Sequence, residues 1–409
     1  MTRITEESGV GYLAVILLLA TALIVLLVQG VGGTSQTSTV ETANETPSPT
    51  PTSAPPPEVQ QLVASPTPAI HVALWWDEQI AQRDLDLVEE LGFGWVKQKF
   101  AWRDIATVER GQYDWWRTDR IVEDVEERGL SLIVRLDRQP FWSQANGGWP
   151  PLENAPPADL QDFGDFCHAV AERYQGRIQA YQVWNEPNLA REWGEQPPNA
   201  AEYVDLLATC YEGIKSADPA AWVISAPLAP TGTGLPIAIP DDEYLIAMYE
   251  AGAADYFDML GVNAPGYAAS PQTSPGEAAA NPAFGGQAWA TFRHVETIRS
   301  IMVQQGDGHK QIAILEMGWT TDPVNDEYRW FAVSEQEQAD YLAGAYWWAR
   351  LNWQPWIGLM TTIYIPDPSW TPADEEYWWG VTFPSFPITH RRPAFYTLQG
   401  LPDWGGETP

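Results

Sequence analysis

IHVALWWDEQIAQRDLDLVEELGFGWVKQKF, residues 70–100, reads as a strand, a helix and a second strand. IHVALWW (70–76) is apolar almost without a break, as suits a strand covered on both faces. IAQRDLDLVEELG sets apolar residues three and four apart and stops at Gly92, the period of an amphipathic helix and one of its common ends. FGWVKQKF (93–100) returns to a short strand-like run. That order predicts two parallel strands joined by a helical crossover.

Outward from this stretch the unit repeats. Further buried-strand runs are LSLIVRL (130–136), IQAYQVW (178–184), AWVISAP (221–227), FDMLGVN (257–263), QIAILEM (311–317) and WIGLMTTIYI (356–365). Helix-like stretches between them include DRIVEDVEERG, DFGDFCHAVAERY, AAEYVDLLATCYEGIK and EQADYLAGAYWWARL. Eight such units over residues 70–401 predict an α/β fold of the (β/α)8 TIM-barrel type. The stretches after strands three, five and six are the long ones. A doubly wound open sheet is the alternative. TGTGLP (231–236) is only a fragment of a dinucleotide fingerprint and follows no clean strand–helix turn.

The chain before the barrel divides by composition. Residues 1–10 form a short tail. Residues 11–30 contain YLAVILLLATALIVLLV (12–28) without a charge, close to the ~20 residues that span a bilayer and longer than the ~7–15 of a signal-peptide core. This predicts a transmembrane anchor with its N-terminus inside, a cleaved signal being the alternative. Residues 31–69 hold no Lys or Arg and are rich in Thr, Ser and Pro, the composition of a disordered, solvated stalk. The barrel is then expected outside the cytosol, on the cell membrane or secreted. Residues 402–409 are a tail.

The 409 residues carry 54 acidic and 22 basic side chains, a net charge of −32. Such a surface repels phosphate backbones and disfavours a nucleic-acid partner. Two cysteines, Cys167 and Cys210, exclude a disulfide scaffold, a zinc ribbon and an iron–sulfur cluster. They fall in neighbouring helices, and pairing or two free thiols are both open. No metal site and no cofactor is expected. Glu153, Glu195, Asp241 and Asp242 read as solvated loop carboxylates.

In a barrel of this kind the chemistry lies at the C-terminal ends of the strands. Strand four ends in Trp-Asn-Glu-Pro-Asn (184–188) and strand seven in Leu-Glu-Met-Gly-Trp (315–319). Glu186 and Glu316 therefore face each other across the mouth. Two opposed carboxylates are what glycosidic cleavage needs, one protonated and one ionised. The 22 tryptophans supply apolar faces for sugar rings. Candidates at strand ends are Trp75, Trp76, Trp102, Trp142, Trp319 and Trp370, with Tyr364 competing with Trp370 for the place after strand eight.

With these residues the sequence resembles the clan A glycoside hydrolases, retaining enzymes on a (β/α)8 barrel. WNEPN on strand four and a Glu ending strand seven carry the likeness. VKQKFAWRDIATVERGQYDWWRTDRIV resembles a stretch of families 39 and 42 through Trp102, Gly111, Tyr113, Asp114 and Trp115. Pro140 and Trp142 match a P-x-W element, and NAPGY (263–267) stands where those families carry an H-P-Y-like element. The likeness covers most of residues 70–400 and is nearest family 39. It implies Glu186 as general acid/base, Glu316 as nucleophile, Asn185 on the sugar 2-hydroxyl and Tyr267 hydrogen-bonded to the nucleophile. Lys97 stands where the relatives have Arg, Lys99 where they have an acid, and Asn263 where they have His. These departures bear on the glycone subsite, where Lys97 and Asn263 are substrate-binding candidates, and not on the two glutamates. The expected function is a retaining glycosidase acting on O-glycosidic, β-linked bonds of oligo- or polysaccharides. A carbohydrate-binding pseudoenzyme and a transglycosylase are the rivals.

Overall fold

The computed structural model describes residues 58–401 except 107 and 388. The expected tails at 1–10 and 402–409, the anchor at 11–30 and most of the stalk lie outside the described residues. Among the described residues no helix is long and apolar enough to cross a membrane.

Eight parallel strands close into a barrel in chain order. They are β1 (Thr67–His71), β2 (Trp95–Ala101), β3 (Ser131–Asp137), β4 (Ala180–Val183), β5 (Trp222–Ile224), β6 (Met259–Pro265), β7 (Gln311–Gly318) and β8 (Ile357–Thr362). One helix follows each strand: α1 (Glu78–Leu91), α2 (Trp116–Glu127), α3 (Leu160–Arg173), α4 (Ala200–Ala217), α5 (Asp241–Glu250), α6 (Val295–Gln304), α7 (Glu335–Asn352) and α8 (Pro393–Gln399). Short helical turns such as Trp102–Ile105 and Pro275–Ala280 sit in the connecting loops.

Local chemistry sets the helix ends. Asp77 accepts a bond from the Ile80 amide at the start of α1, and Gly92 closes it in the left-handed region at φ 72°, a conformation that glycine adopts without a Cβ penalty. Asn199 caps α4. Ser334 and Glu337 form a reciprocal capping box on α7.

The core has two parts. Ala69, Ile133, Ala180, Ile224, Met259, Ala313, Leu315 and Leu359 fill the barrel interior. A larger layer lies between strands and helices, with Ile312, Ile314 and Met317 among its β7 members.

The barrel begins before residue 70, which corrects the stalk boundary at 69. Thr67 already pairs with β8. Leu62 and Val63 pack on the interior cluster. Their amides donate to Gln311 Oε1 at 2.9 and 3.2 Å. Gln311 opens β7, so residues near 62 cover the N-terminal end of the barrel. A stretch with apolar side chains and satisfied amides is held, in spite of its Pro/Ser/Thr composition. At the other end β1 stops at His71, and 72–76 run as loop instead of strand.

Cys167 on α3 and Cys210 on α4 are joined in a disulfide, with Cα atoms 5.4 Å apart. Gly164 and Gly213 let the two helices approach. A Cβ on Gly213 would come within 2.6 Å of the Gly164 carbonyl oxygen.

Candidate active site

Glu186 is placed by a strained turn. Trp184 and Glu186 have φ of 74° and 41°, a region unfavourable for side chains with a Cβ. Three anchors hold it. The Trp184 ring is buried against Phe163 and Trp193. The Glu186 amide donates to Pro227 O at 3.1 Å. Asn188 joins this loop to the next through Ala229 and Ile239. Strain kept by its surroundings is a frequent mark of a functional position.

Glu316 is placed by a bulge. Along β7, Ala313 and Leu315 face the barrel interior while Ile312 and Ile314 face the helices. Strict alternation would turn Glu316 outward. The register with β6 shifts after Val262, which pairs with Ile314, so that Asn263 pairs with Glu316. The extra β7 residue lets Leu315 and Glu316 both point inward, as bulges beside active sites do.

Asn263 then joins the two carboxyl groups. Its Nδ2 donates to Glu186 Oε1 at 2.9 Å and to Glu316 Oε2 at 3.3 Å. Laid end to end, the contacts limit those oxygens to about 6.2 Å apart.

Cations flank both carboxylates. Lys97 Nζ lies 3.3 Å from Glu316 Oε1 and also donates to Leu315 O at 2.9 Å. Arg135 stands 3.7 Å from the same oxygen. Arg191 lies 3.2 Å from Glu186 Oε2. Burial raises the Glu186 pKa above the usual carboxylate range. Arg191 opposes the rise, the charges of Glu316 and Glu192 add to it, and the Asn263 bond pulls against it. Burial lowers Lys97 to about 8 although Glu316 works the other way. Burial would also raise Asp137, but Arg135, Arg138 and Lys99 hold it below its ordinary value.

The glutamates line a cavity of about 420 Å³ together with Asn185, Asn263, Tyr267 and Tyr364. Asn185 accepts from Gln182 Nε2 at 3.3 Å. A larger hollow of about 760 Å³ lies outside the barrel between α2 and α3, where its charges Asp119 and Arg173 already pair.

Several expectations are corrected. Tyr267 lines the cavity, but its hydroxyl donates to Pro230 O at 2.9 Å and not to Glu316. Lys97 is fully buried under Glu316, so it reaches any ligand only through that carboxylate. Trp102 shares the outward parity of Phe100, is 1% exposed and stacks on Phe166. Trp142 packs edge-on against Trp102 and donates to Ala106 O. Trp319 shares the outward parity of Met317 and donates to Ala269 O. Its ring covers Gly266, where a Cβ would collide with it. None of these three indoles lines the cavity. Trp370 lies in an adjoining hollow, and Tyr364 takes the place beside the glutamates. Asp241 is buried and accepts from His294 Nε2 at 2.8 Å, so it is not a solvated loop carboxylate.

Arg135, Arg138, Arg191, Glu192 and Glu375 also line the cavity. One signal for them was the lone arginine inside the apolar run LSLIVRL, since a charge in a buried strand needs a partner. Among the described residues no cluster of His, Cys, Asp and Glu suited to a metal ion occurs.

With this geometry in place, solved structures give the relation. A family 39 glycoside hydrolase from Bacteroides cellulosilyticus WH2 superposes with a TM-score of 0.58 at 17% identity, over 84% of this chain and 64% of that one. Its fold is that of the clan A glycoside hydrolases. A β-glucosidase from Thermotoga maritima matches with a TM-score of 0.55 at 14% identity, over 80% of this chain and 86% of that one. A family 10 endoxylanase from a sugarcane soil metagenome matches at 0.52 and 15%, over 83% and 97%. This chain thus spans less than two thirds of the family 39 protein. No protein-family model and no curated protein matches the sequence.

Proposed function

We propose that the barrel is a retaining glycosidase acting on β-linked oligo- or polysaccharides. One observation carries the reading: a single amide, Asn263, bonded to both Glu186 and Glu316. Retaining enzymes hold their carboxyl groups ~5–5.5 Å apart and inverting ones ~6.5–9.5 Å apart. The bound of about 6.2 Å on the bridged oxygens favours direct attack over an intervening water.

Burial and like charge suit Glu186 to stay protonated as the acid. Glu316, beside Lys97 and Arg135, attacks the anomeric carbon while Glu186 protonates the departing oxygen. A covalent glycosyl–enzyme forms at Glu316. Glu186, now ionised, takes a proton from water, which displaces the sugar with net retention. Asn185 is proposed to bind the sugar beside the acid, and Tyr364 to supply a ring face. The Cys167–Cys210 bridge supports an oxidising, extracytoplasmic location, with residues 11–30 as the proposed anchor.

The test is turnover of a panel of aryl β-glycosides and β-glucan, xylan and galactan oligosaccharides by wild type, Glu186→Gln and Glu316→Gln. Activity on one glycoside, reduced about 10³-fold or more in each variant, is expected. Oligosaccharide binding by a folded wild type without any turnover would leave a carbohydrate-binding protein instead.

A further inference from the structure

Glu186 is met by a donor on each oxygen. Asn263 Nδ2 donates to Oε1 at 2.9 Å and Arg191 Nη2 to Oε2 at 3.2 Å. Neither nitrogen accepts a hydrogen bond, so both contacts favour the ionised carboxylate. The proposed acid has to do the opposite and offer a proton to the leaving oxygen. Asn263 is 4% exposed and tied to Glu316 as well, which fixes it. Arg191 is the contact that is free to change. It is the only cation within ion-pair reach of Glu186 among the described residues.

The loop combines a fixed backbone with a loose side chain. Arg191 sits on the short turn Ala190–Glu192 after β4. The Ala190 amide donates to Ile237 O at 2.9 Å, and Trp184 Nε1 donates to Glu192 O at 2.9 Å. The Arg191 side chain itself is 63% exposed, and the bond to Glu186 is its only hydrogen bond among the described residues. A second carboxylate stands within reach. Glu192 Oε1 lies 4.0 Å from Arg191 Nε, while Glu192 Oε2 is held by Asn154. An exposed ion pair costs little to exchange. The cations of Glu316 are built the other way. Lys97 is buried and donates to Leu315 O, and Arg135 is buried and held by Asp137. A nucleophile stays ionised until it attacks, whereas an acid must change its protonation state. The fixed cations attend the first and the loose one attends the second.

We propose that Arg191 is a positioning residue for the acid: it pairs with Glu186 in the free protein and swings to Glu192 as the leaving group enters, so that Glu186 holds its proton most firmly with a substrate in place. The proton comes from solvent. The swing rests on the glycosidase reading; the pairing does not. The other groups facing Glu186 are Glu192 on its own loop, Glu316 on β7, Asn263 on β6, Tyr267 just beyond it and Glu375 from the loop after β8. Burial keeps Tyr267 neutral and pushes Glu375 up to about 7. The neighbouring carboxylates disfavour the ionised form of Glu186, and Arg191 is the cation that opposes them. Loss of Arg191 therefore raises the pKa of Glu186 in the free protein.

The test titrates the full chain, isotope-labelled at the glutamate carboxyl carbons, by NMR as wild type and as Arg191→Gln. The Glu186 signal is the one absent in Glu186→Gln. Its midpoint is expected about half a pH unit or more higher in Arg191→Gln. The gap should close in about 1 M NaCl, since an exposed pair is screened. An equal or lower midpoint in Arg191→Gln overturns the proposal. Rate profiles then follow the swing. With a phenyl glycoside, whose leaving group needs a proton, the alkaline limb of kcat/KM should rise by the same shift in Arg191→Gln, because it reports the free protein. The limb of kcat reports the complex and should stay in place. A kcat limb that rises as far would mean that Arg191 stays on Glu186 throughout, which overturns the swing. A dinitrophenyl glycoside departs without a proton, so its limb should not move. A shift there would belong to another group, Glu375 first, and would also overturn the proposal. A shifted midpoint without turnover of any glycoside would keep the pair and remove the glycosidase together with the swing. Turnover with unshifted midpoints would keep the glycosidase and remove the role of Arg191.

Discussion

Asn263 gives each of its amide hydrogens to a different carboxylate, and that is where the chemistry is most exposed to a single change. Its bond favours the ionised form of Glu186, so its loss must raise that pKa further. Two carboxylates deprived of a shared donor also repel more strongly. Asn263→Ala is expected to lower kcat by about 10²-fold. The alkaline limb of the kcat/KM profile should move to higher pH, because Glu186 stays protonated longer. A pH–rate profile of both proteins checks this, and an alkaline limb that stays in place or moves down would separate Asn263 from Glu186. The glutamates were legible as isolated acids ending two apolar runs. Asn263 was legible only as a departure from a motif, taken for a sugar ligand, because no sequence pattern states that one amide will meet two acids from β4 and β7. Tyr267 misled in the same way. Its place at the cavity was readable, but the carbonyl of Pro230 that captures its hydroxyl was not.

At the scale of elements, all eight strands follow from apolar runs. Their ends do not, since loop backbone and strand backbone share the same residues at 72–76. The β7 bulge was invisible: LEMG reads as plain alternation, and only pairing with β6 reveals the extra residue. The same parity argument explains the tryptophans. Trp102 and Trp319 lie at strand ends, as a sugar platform would, but face the helix layer. Parity could have been counted from Phe100 and Met317, and it carries more weight than proximity to a strand end. The α3–α4 pair shows a different limit, since two helix cysteines state no pairing until the helices are placed. The disulfide closes 43 residues, about 4 kcal/mol on the chain-entropy view. For a domain of this size that is about 5 °C in Tm. Scanning calorimetry with and without reductant should show a fall of that order, with Cys167→Ser/Cys210→Ser matching the reduced protein. Equal Tm values would mean that close packing at Gly164 and Gly213 already holds the two helices.

Across the whole molecule, charge does not mark out the site. A chain with a net charge of −32 lines the mouth with Arg135, Arg138 and Arg191 among Glu186, Glu192, Glu316, Glu375 and Glu376, so overall composition gives no guide to it. Composition misplaced a boundary as well. Residues 58–69 look like the rest of the Pro/Thr/Ser stretch, yet Leu62 and Val63 close the barrel end and Thr67 begins a strand. The barrel repeat, by contrast, was readable because each strand–helix unit restates it. Its central consequence is that β4 and β7 bring Glu186 and Glu316 together, the pair for which the roles of acid and nucleophile are proposed. The most direct test is to incubate the protein with activated 2-deoxy-2-fluoro glycosides of the sugar it turns over, then map the adduct by peptide mass spectrometry. A single glycosyl adduct on Glu316, absent in Glu316→Gln, is expected. An adduct on another residue, or turnover with inverted anomeric configuration and no adduct, would overturn the assignment.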